Sequence, residues 1–190
     1  MPPTFVSSNN QINKHAGMKT LKTTLAILLI SIFAISSGYA QERTMPEIHS
    51  MMVYNFMKYV HWPPTSTNGD FVIGVVGDAD VYATLTKWYG TKTKGSQKIV
   101  IKQFGSASDL SDCHVLYVGK SKSSAFASIK TAVAGKSTLI ITDKSGLGKK
   151  GSGINFKTVN NKLKFELNQA AIASANLKVS SQLSGMAIMI

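Results

Sequence analysis

The chain has 190 residues, with 21 Lys and Arg against nine Asp and Glu and a formal net charge of +12. This length suits one domain around a single hydrophobic core. The cations are mostly scattered lysines and Arg43 is the only arginine, whereas nucleic-acid readers favour arginine for bidentate contacts. We therefore exclude nucleic acid as a partner and interpret the charge as solubility with a preference for anionic envelope surfaces.

The start of the chain, over residues 18–40, is typical of a secretory signal peptide. Lys19 and Lys22 form the positive region, an apolar run follows at 25–35, and small residues precede the bond between Ala40 and Gln41. The alternative is a transmembrane anchor, but the run is about 11 residues and a span needs about 20. We predict cleavage near Ala40–Gln41.

Cleavage there predicts a periplasmic protein. We assign residues 1–40 to an N-terminal extension and signal peptide, with the true start at Met1 or Met18 left open, and residues 41–190 to a single domain. Cys113 is the only cysteine, so no intramolecular disulfide can form. It lies in a strand-like run, and we interpret it as a buried, inert thiol, with an intermolecular disulfide as the alternative.

The first half of the domain alternates helices with apolar strands. Pro46 and Glu47 in the first turn predict a Met-rich, largely buried helix from residue 45, and the prolines after Trp62 end it. A continuous apolar run is typical of a strand covered on both faces, and Asp80 is suited to cap the helix after it. The predicted elements are a helix at 45–60, a strand at 71–76, a helix at 81–89, and strands at 98–104 and 113–118.

The second half adds another helix and strand, a hairpin and two last helices. Asn160–Asn161 between two alternating runs is a hairpin signal, and Asn168 is suited to cap the next helix. The predicted elements are a helix at 121–134, strands at 137–142, 154–159 and 162–167, and helices at 169–175 and from Ser180 or Ser181 to Ile190. This order predicts a three-layer α/β fold, with a mostly parallel sheet flanked by helices and a C-terminal β-hairpin.

The chain contains motifs that resemble catalytic or cofactor-binding signatures, but the elements around them do not fit those functions. Residues 146–151 match G-x-G-x-x-G, but a dinucleotide fingerprint must open a helix and a strand follows here. The histidines lack ligand spacing, so we predict no metal site. Cys113 and His114 are adjacent on a strand and point to opposite faces, which excludes a thiol–imidazole dyad. We predict no cofactor, no catalytic residues and no enzyme activity.

Two regions remain as candidate binding surfaces. Trp62 with Pro63 either closes the end of the core as a rigid corner or presents an aromatic anchor to a partner. The Gly/Lys loop at 144–153 presents Lys144, Lys149 and Lys150. We predict these five residues as the partner-binding set.

The ordered motifs resemble the YfiR family, which is also described as DUF4154. Residues 56–63, Phe-Met-Lys-Tyr-Val-His-Trp-Pro, resemble the end of that family's first helix, and residues 113–118 resemble its central strand. Residues 138–143 with 153–156, and then 163–183, are similar to its later segments. The resemblance covers residues 45–187 in order.

The resemblance implies an exported, non-enzymatic α/β domain that regulates a membrane receptor. Members of the family repress an inner-membrane diguanylate cyclase by binding its periplasmic region, which lowers cyclic-di-GMP and limits biofilm formation. Others serve receptors such as sensor kinases, and members can form dimers, which leaves a homodimer open here. Some relatives carry paired cysteines, whereas Cys113 has no partner, and Ser184–Gly185 stands where apolar residues are usual.

The alternative function is a periplasmic small-ligand-binding domain that senses a solute. In open α/β sheets, ligands bind beyond the carboxyl ends of the strands. Gly77, Asp78, Gly119 and Lys120 are predicted to lie at such ends. A tight ligand there would raise thermal stability.

Overall fold

The structure is a computed structural model that describes residues 42–190. The predicted signal peptide and its cleavage site at Ala40–Gln41 lie outside the described residues. Within residues 42–190, no helix is long and apolar enough to cross a membrane.

Five α-helices and ten strands make up the described part of the chain. The helices are α1 (Met45–Tyr59), α2 (Ala79–Tyr89), α3 (Phe126–Ala132), α4 (Gln169–Ser174) and α5 (Ser181–Met186). The strands are β1 (Val60–His61), β2 (Phe71–Val76), β3 (Thr93–Lys94), β4 (Gln97–Phe104), β5 (Val115–Val118), β6 (Leu139–Thr142), β7 (Ile154–Val159), β8 (Lys162–Leu167), β9 (Lys178–Val179) and β10 (Ile188–Met189).

Eight strands form one sheet in the order β10-β8-β7-β6-β5-β2-β4-β3. Its pairs are parallel except β7 with β8 and β3 with β4, which are antiparallel. β1 and β9 form a separate antiparallel pair. The predicted fold class, a mostly parallel sheet flanked by helices with a C-terminal hairpin, is confirmed.

Helices cover both faces of the sheet, and the alternation of side chains along each strand explains why. On one face, Ile73, Val75 and Tyr117 belong to the core cluster that includes Phe56 of α1 and Leu85 of α2. On the other face, Val76, Leu116 and Val118 pack in the cluster of α3 with Phe126 and Ile129. Strands buried on both sides must be apolar at nearly every position, as β2 and β5 are.

Several local predictions are confirmed. The helix predicted from residue 45 begins at Met45, where the carboxylate of Glu47 in the first turn accepts from the backbone N–H of Thr44 at 2.9 Å. Asn160 and Asn161 have φ of 49° and 57°, the left-handed pair that a two-residue turn between β7 and β8 requires. The side chain of Asn168 accepts from Ala171 N at 2.9 Å and caps α4.

The start of two helices differs from the prediction. Asp78, not Asp80, caps α2, because its carboxylate accepts from Val81 N at 3.0 Å. The predicted helix at 121–134 begins as a 3₁₀ helix, Lys120–Ala125, and becomes α-helical only at Phe126. Ser121 donates its hydroxyl to the carbonyl of Gly77 at 2.6 Å, a tertiary bond that competes with α-helical geometry in this Ser-rich segment.

The prediction of a last helix reaching Ile190 is wrong. α5 ends at Met186, after Ser184 and Gly185, which are weak helix formers. The chain then extends, and Ile188–Met189 pairs in parallel with Glu166–Leu167 at the edge of the sheet. A free strand edge offers hydrogen bonds that a short apolar tail can take without a helix.

Candidate functional site

Trp62 is half-buried and held at the amino ends of the parallel strands. Its indole N–H lies 3.2 Å from the carbonyl of His114 and 3.1 Å from that of Ser137, so it donates to both. The ring meets Phe71 edge-on at 5.0 Å, and the ammonium of Lys94 lies 4.8 Å from its centroid. These contacts favour the rigid-corner interpretation of Trp62, with Pro63 half-exposed beside it.

An open cleft of about 620 Å³ lies next to β6. It exists because β7 pairs with β6 only at Ile141 and Thr142, so the amino half of β6 has no strand on that side. The end of α3, the segment 149–153 and α4 border the gap. This cleft is a part of the described surface that could hold another molecule.

Lys149 and Lys150 both line this cleft, whereas Lys144 does not. Two more lysines, Lys130 and Lys136, complete the cationic lining, and no Asp or Glu of the described chain belongs to it. The ammonium of Lys130 donates to the carbonyl of Lys150 at 3.0 Å, a bond to a neutral group. Of these four lysines, Lys149 and Lys150 are predicted from the sequence, whereas Lys130 and Lys136 are not.

The loop that carries Lys149 and Lys150 is anchored into the core. Leu147 is 5% exposed and belongs to the cluster beneath α3. The amide of Asn168 donates to the carbonyl of Gly148 at 2.9 Å, and buried Ser152 bonds Thr142 at 2.9 Å. The two lysines are thus held at the rim of the cleft from both ends of the segment.

The Trp62 corner and the cleft adjoin. The carbonyl of Ser137 accepts from the indole of Trp62, and the residues on either side, Lys136 and Thr138, line the cleft. Lys144 instead follows the carboxyl end of β6. Lys149 and Lys150 therefore lie on a cleft that adjoins the Trp62 corner, whereas Lys144 follows β6 and does not line the cleft.

The carboxyl ends of β2 and β5, where the solute-sensing alternative placed a ligand, are filled by the chain itself. A Cβ added at Gly119 would lie 2.5 Å from the carbonyl oxygen of Gly77. A Cβ at Gly77 would meet Lys122 at 2.5 Å and Ser121 at 2.8 Å. The four residues predicted at the strand ends do meet there, but the 3₁₀ helix covers the space between the two strands.

A buried polar group that the sequence did not reveal lies beside this covered end. His49 of α1 is 2% exposed, and its Nδ1 is 2.9 Å from the Tyr117 hydroxyl and 3.8 Å from an Asp143 oxygen. Its ring stacks on Phe156 at 4.3 Å, and its Nε2 has no partner among the described residues. The only sequence signal was a histidine within a largely apolar helix.

A family model described as YfiR/HmsC-like (DUF4154) matches residues 46–188, almost the whole of the described fold. The chain belongs to the YfiR/HmsC-like family. This confirms the resemblance inferred from the ordered motifs. No curated protein matches the chain.

Two solved structures align with this YfiR/HmsC-like domain. A conserved domain protein from Vibrio cholerae aligns with a TM-score of 0.52 at 11% identity, over 77% of this chain and 60% of its own. The ABC domain from Streptococcus pneumoniae, solved in complex with L-Trp, aligns with a TM-score of 0.45 at 11% identity, over 62% of this chain and 54% of its own. The chain spans little more than half the length of these proteins, and the first likeness shows a shared fold alone.

Cys113 of this YfiR/HmsC-like domain is 7% exposed. Burial raises the pKa of its thiol to about 12, against the weaker opposing effects of Lys136 and Thr138. A thiol with such a pKa stays protonated at neutral pH, and the thiolate is the reactive form. Burial and pKa therefore favour the inert-thiol interpretation of Cys113 over the intermolecular disulfide.

The stability of the YfiR/HmsC-like domain should fall as pH drops from about 7.5 to about 5.5. Burial lowers the pKa of His49, although Asp143 and Asp78 oppose the shift, and burial likewise lowers the pKa of His114. The unfolded state then binds more protons than the folded state. The free energy of unfolding therefore falls by up to about 1.4 kcal/mol per pH unit between the unfolded and folded pKa of buried His49, and by less for half-buried His114, whose charge solvent screens. Urea unfolding across this range measures the slope, and His49→Gln should reduce it. An unchanged slope in that variant would contradict the assignment.

Proposed function

We propose that this chain is an exported periplasmic regulator that binds the periplasmic region of an inner-membrane receptor. Its membership of the YfiR/HmsC-like family over residues 46–188 carries the proposal. That family suggests a regulatory role in diguanylate cyclase signalling, and we take the receptor to be a diguanylate cyclase or a related sensor kinase. The same proposal covers a regulator that acts as a monomer and one that acts as a homodimer.

Binding alone is enough for such a role. A domain that binds one receptor conformation more tightly than another shifts the receptor's equilibrium by that difference in affinity. A preference of about 1.4 kcal/mol changes the ratio of states tenfold, and a full switch needs about 5.5 kcal/mol. The proposal therefore assigns contact residues and no catalytic ones.

The receptor-facing surface that we propose is the corner of Trp62 and Pro63 together with the adjoining cleft rim that carries Lys149 and Lys150. It combines a fixed aromatic corner with a cationic rim, the kind of surface that fits an acidic patch on a partner. Lys144 is proposed as a separate contact, since it lies at the other end of β6.

Deleting the gene should raise intracellular cyclic-di-GMP, and the full chain expressed from a plasmid should lower it again. Lys149→Gln with Lys150→Gln should restore repression less well, because both charges leave the proposed contact surface. The matched control is Lys162→Gln with Lys164→Gln, which removes the same charge from exposed positions outside the cleft and outside the proposed contacts. Cyclic-di-GMP is measured by mass spectrometry at equal periplasmic protein levels.

A crosslinking experiment identifies the receptor in the same strains. A C-terminally tagged full chain should crosslink to one inner-membrane receptor, and less so when both cleft lysines are replaced. Equal repression and equal crosslinking by the two double variants would refute the proposed surface. Unchanged cyclic-di-GMP on deletion, with no receptor crosslinked, would refute the regulatory function itself.

A further inference from the structure

We infer that the cleft beside β6 binds a small anionic amphiphile, a molecule with an acidic head group and an aliphatic body. This inference concerns a ligand that the isolated protein binds, and it does not depend on whether the protein contacts a receptor. The inference stands on three observations about the cleft: its volume, its apolar floor and its unbalanced charge.

The volume is that of a ligand site. Pockets for small molecules usually span about 300–1,000 Å³, and this cleft has about 620 Å³. The gap in the sheet creates the space, and small side chains keep it open. Alanines stand at four lining positions, which are Ala134, Ala170, Ala171 and Ala175.

The floor is apolar. Its apolar lining residues include Val133, Leu139, Ile172 and Leu177. The lining hydroxyls are already committed, since Thr138 donates to the carbonyl of Cys113 at 2.7 Å and Ser174 to that of Ala171 at 2.9 Å. A ligand body in this cleft is therefore aliphatic or otherwise apolar, because few free polar groups remain to recognise anything else.

The rim carries more lysine ammonium groups than ion pairs with carboxylates of the described chain. Of the four lining lysines, only Lys136 forms an ion pair, with exposed Asp112 at 2.8 Å. Lys130, Lys149 and Lys150 form no ion pair with a carboxylate of residues 42–190. An acidic head group fits this rim, whereas a cationic one would be repelled.

Decanoate, a soluble anionic amphiphile, is the probe. It is titrated into protein purified from the periplasm, below its micelle concentration, and binding is measured by calorimetry. We expect saturable binding, and binding at least about tenfold weaker for decyltrimethylammonium, which has the same chain and the opposite charge. Lys149→Gln with Lys150→Gln should weaken decanoate binding about fivefold, given about 0.5 kcal/mol for each exposed charge pair. Lys162→Gln with Lys164→Gln should leave it unchanged, because both residues are exposed and neither lines the cleft.

A second pair of variants tests the apolar part of the site. Ala170→Leu adds bulk at an exposed position that lines the cleft, and it should weaken decanoate binding at least about fivefold. Ala173→Leu lies on the same helix, is also exposed and does not line the cleft, so it should bind as the parent does. Both substitutions place a good helix former on α4, which keeps the comparison free of folding effects.

Vesicles containing phosphatidylglycerol distinguish a lipid from a free molecule as the natural source. Displacement of decanoate by these vesicles, and not by phosphatidylcholine vesicles, would assign a membrane lipid, and no displacement would assign a soluble amphiphile. The inference is overturned if decanoate does not bind, if the cationic amphiphile binds equally well, or if the cleft variants match their controls. None of these readouts involves the receptor, so the inference and the proposed function fail separately.

Discussion

Replacing Trp62 with alanine should lower the free energy of unfolding by about 3 kcal/mol, because a large half-buried ring is lost from the end of the core. The indole N–H donates to the carbonyls of His114 and Ser137, so it ties the starts of β5 and β6 to the end of α1. The ring also fills the space against Phe71 at 5.0 Å. For a domain of this size, the expected loss corresponds to a fall in the melting temperature of roughly 6–12 °C.

Trp62→Phe separates the two contributions. Phenylalanine keeps most of the apolar contact with Phe71 and removes the hydrogen-bond donor, so it should cost only about 1 kcal/mol. Urea denaturation followed by circular dichroism measures both variants against the parent. A melting temperature for Trp62→Ala within about 1 °C of the parent would show that the indole does not support the core, and the partner-anchor interpretation would then gain weight.

This expected loss changes how the receptor surface must be tested. A Trp62→Ala chain that is partly unfolded in the periplasm would fail to repress whether or not the indole touches the receptor. Lys149 and Lys150 are exposed, and replacing them disturbs no bond made by their side chains within the described chain. The lysine variants therefore report on binding, and the tryptophan variants report on folding.

The alternation of apolar runs and amphipathic segments was enough to predict the central sheet. β2 is apolar at nearly every position and could only be a strand buried on both faces, and Asn160–Asn161 supplies its own turn geometry. The tail from Ile188 was mispredicted because its pairing partner, Glu166–Leu167 in β8, is fixed by tertiary contact. The same holds for β1 and β9, whose two-residue pairs carry no periodic signal.

The candidate site was only partly visible in the sequence for a similar reason. Lys149 and Lys150 stand out as a charged pair in a loop, so they were predicted as a surface. The cleft itself depends on β7 starting level with Ile141, a matter of strand register that no local pattern encodes. His49 illustrates the reverse case, since burial of α1 was predicted but its bond to Tyr117, 68 residues away, was not.

Gly119→Ala should destabilise the protein by about 3 kcal/mol, because no room exists for a methyl group where β2 and β5 end side by side. The added Cβ would lie 2.5 Å from the carbonyl oxygen of Gly77 and 2.9 Å from the Cβ of Asp78. The nearest of these atoms belongs to the backbone, so the strain cannot be relieved by a side-chain rotation. The ends of the two strands must move apart, and that movement disturbs the Asp78 cap of α2 and the Ser121 bond to Gly77.

The matched control for this substitution is Gly185→Ala, in which the added methyl group meets nothing within 4 Å. Gly185 lies inside α5, where alanine should raise the free energy of unfolding by about 0.5–1 kcal/mol. Urea midpoints for the two variants should therefore move in opposite directions. A Gly119→Ala chain as stable as the parent would mean that the ends of β2 and β5 can separate at little cost, and the covered crevice between them could then open to a ligand, as the solute-sensing alternative requires.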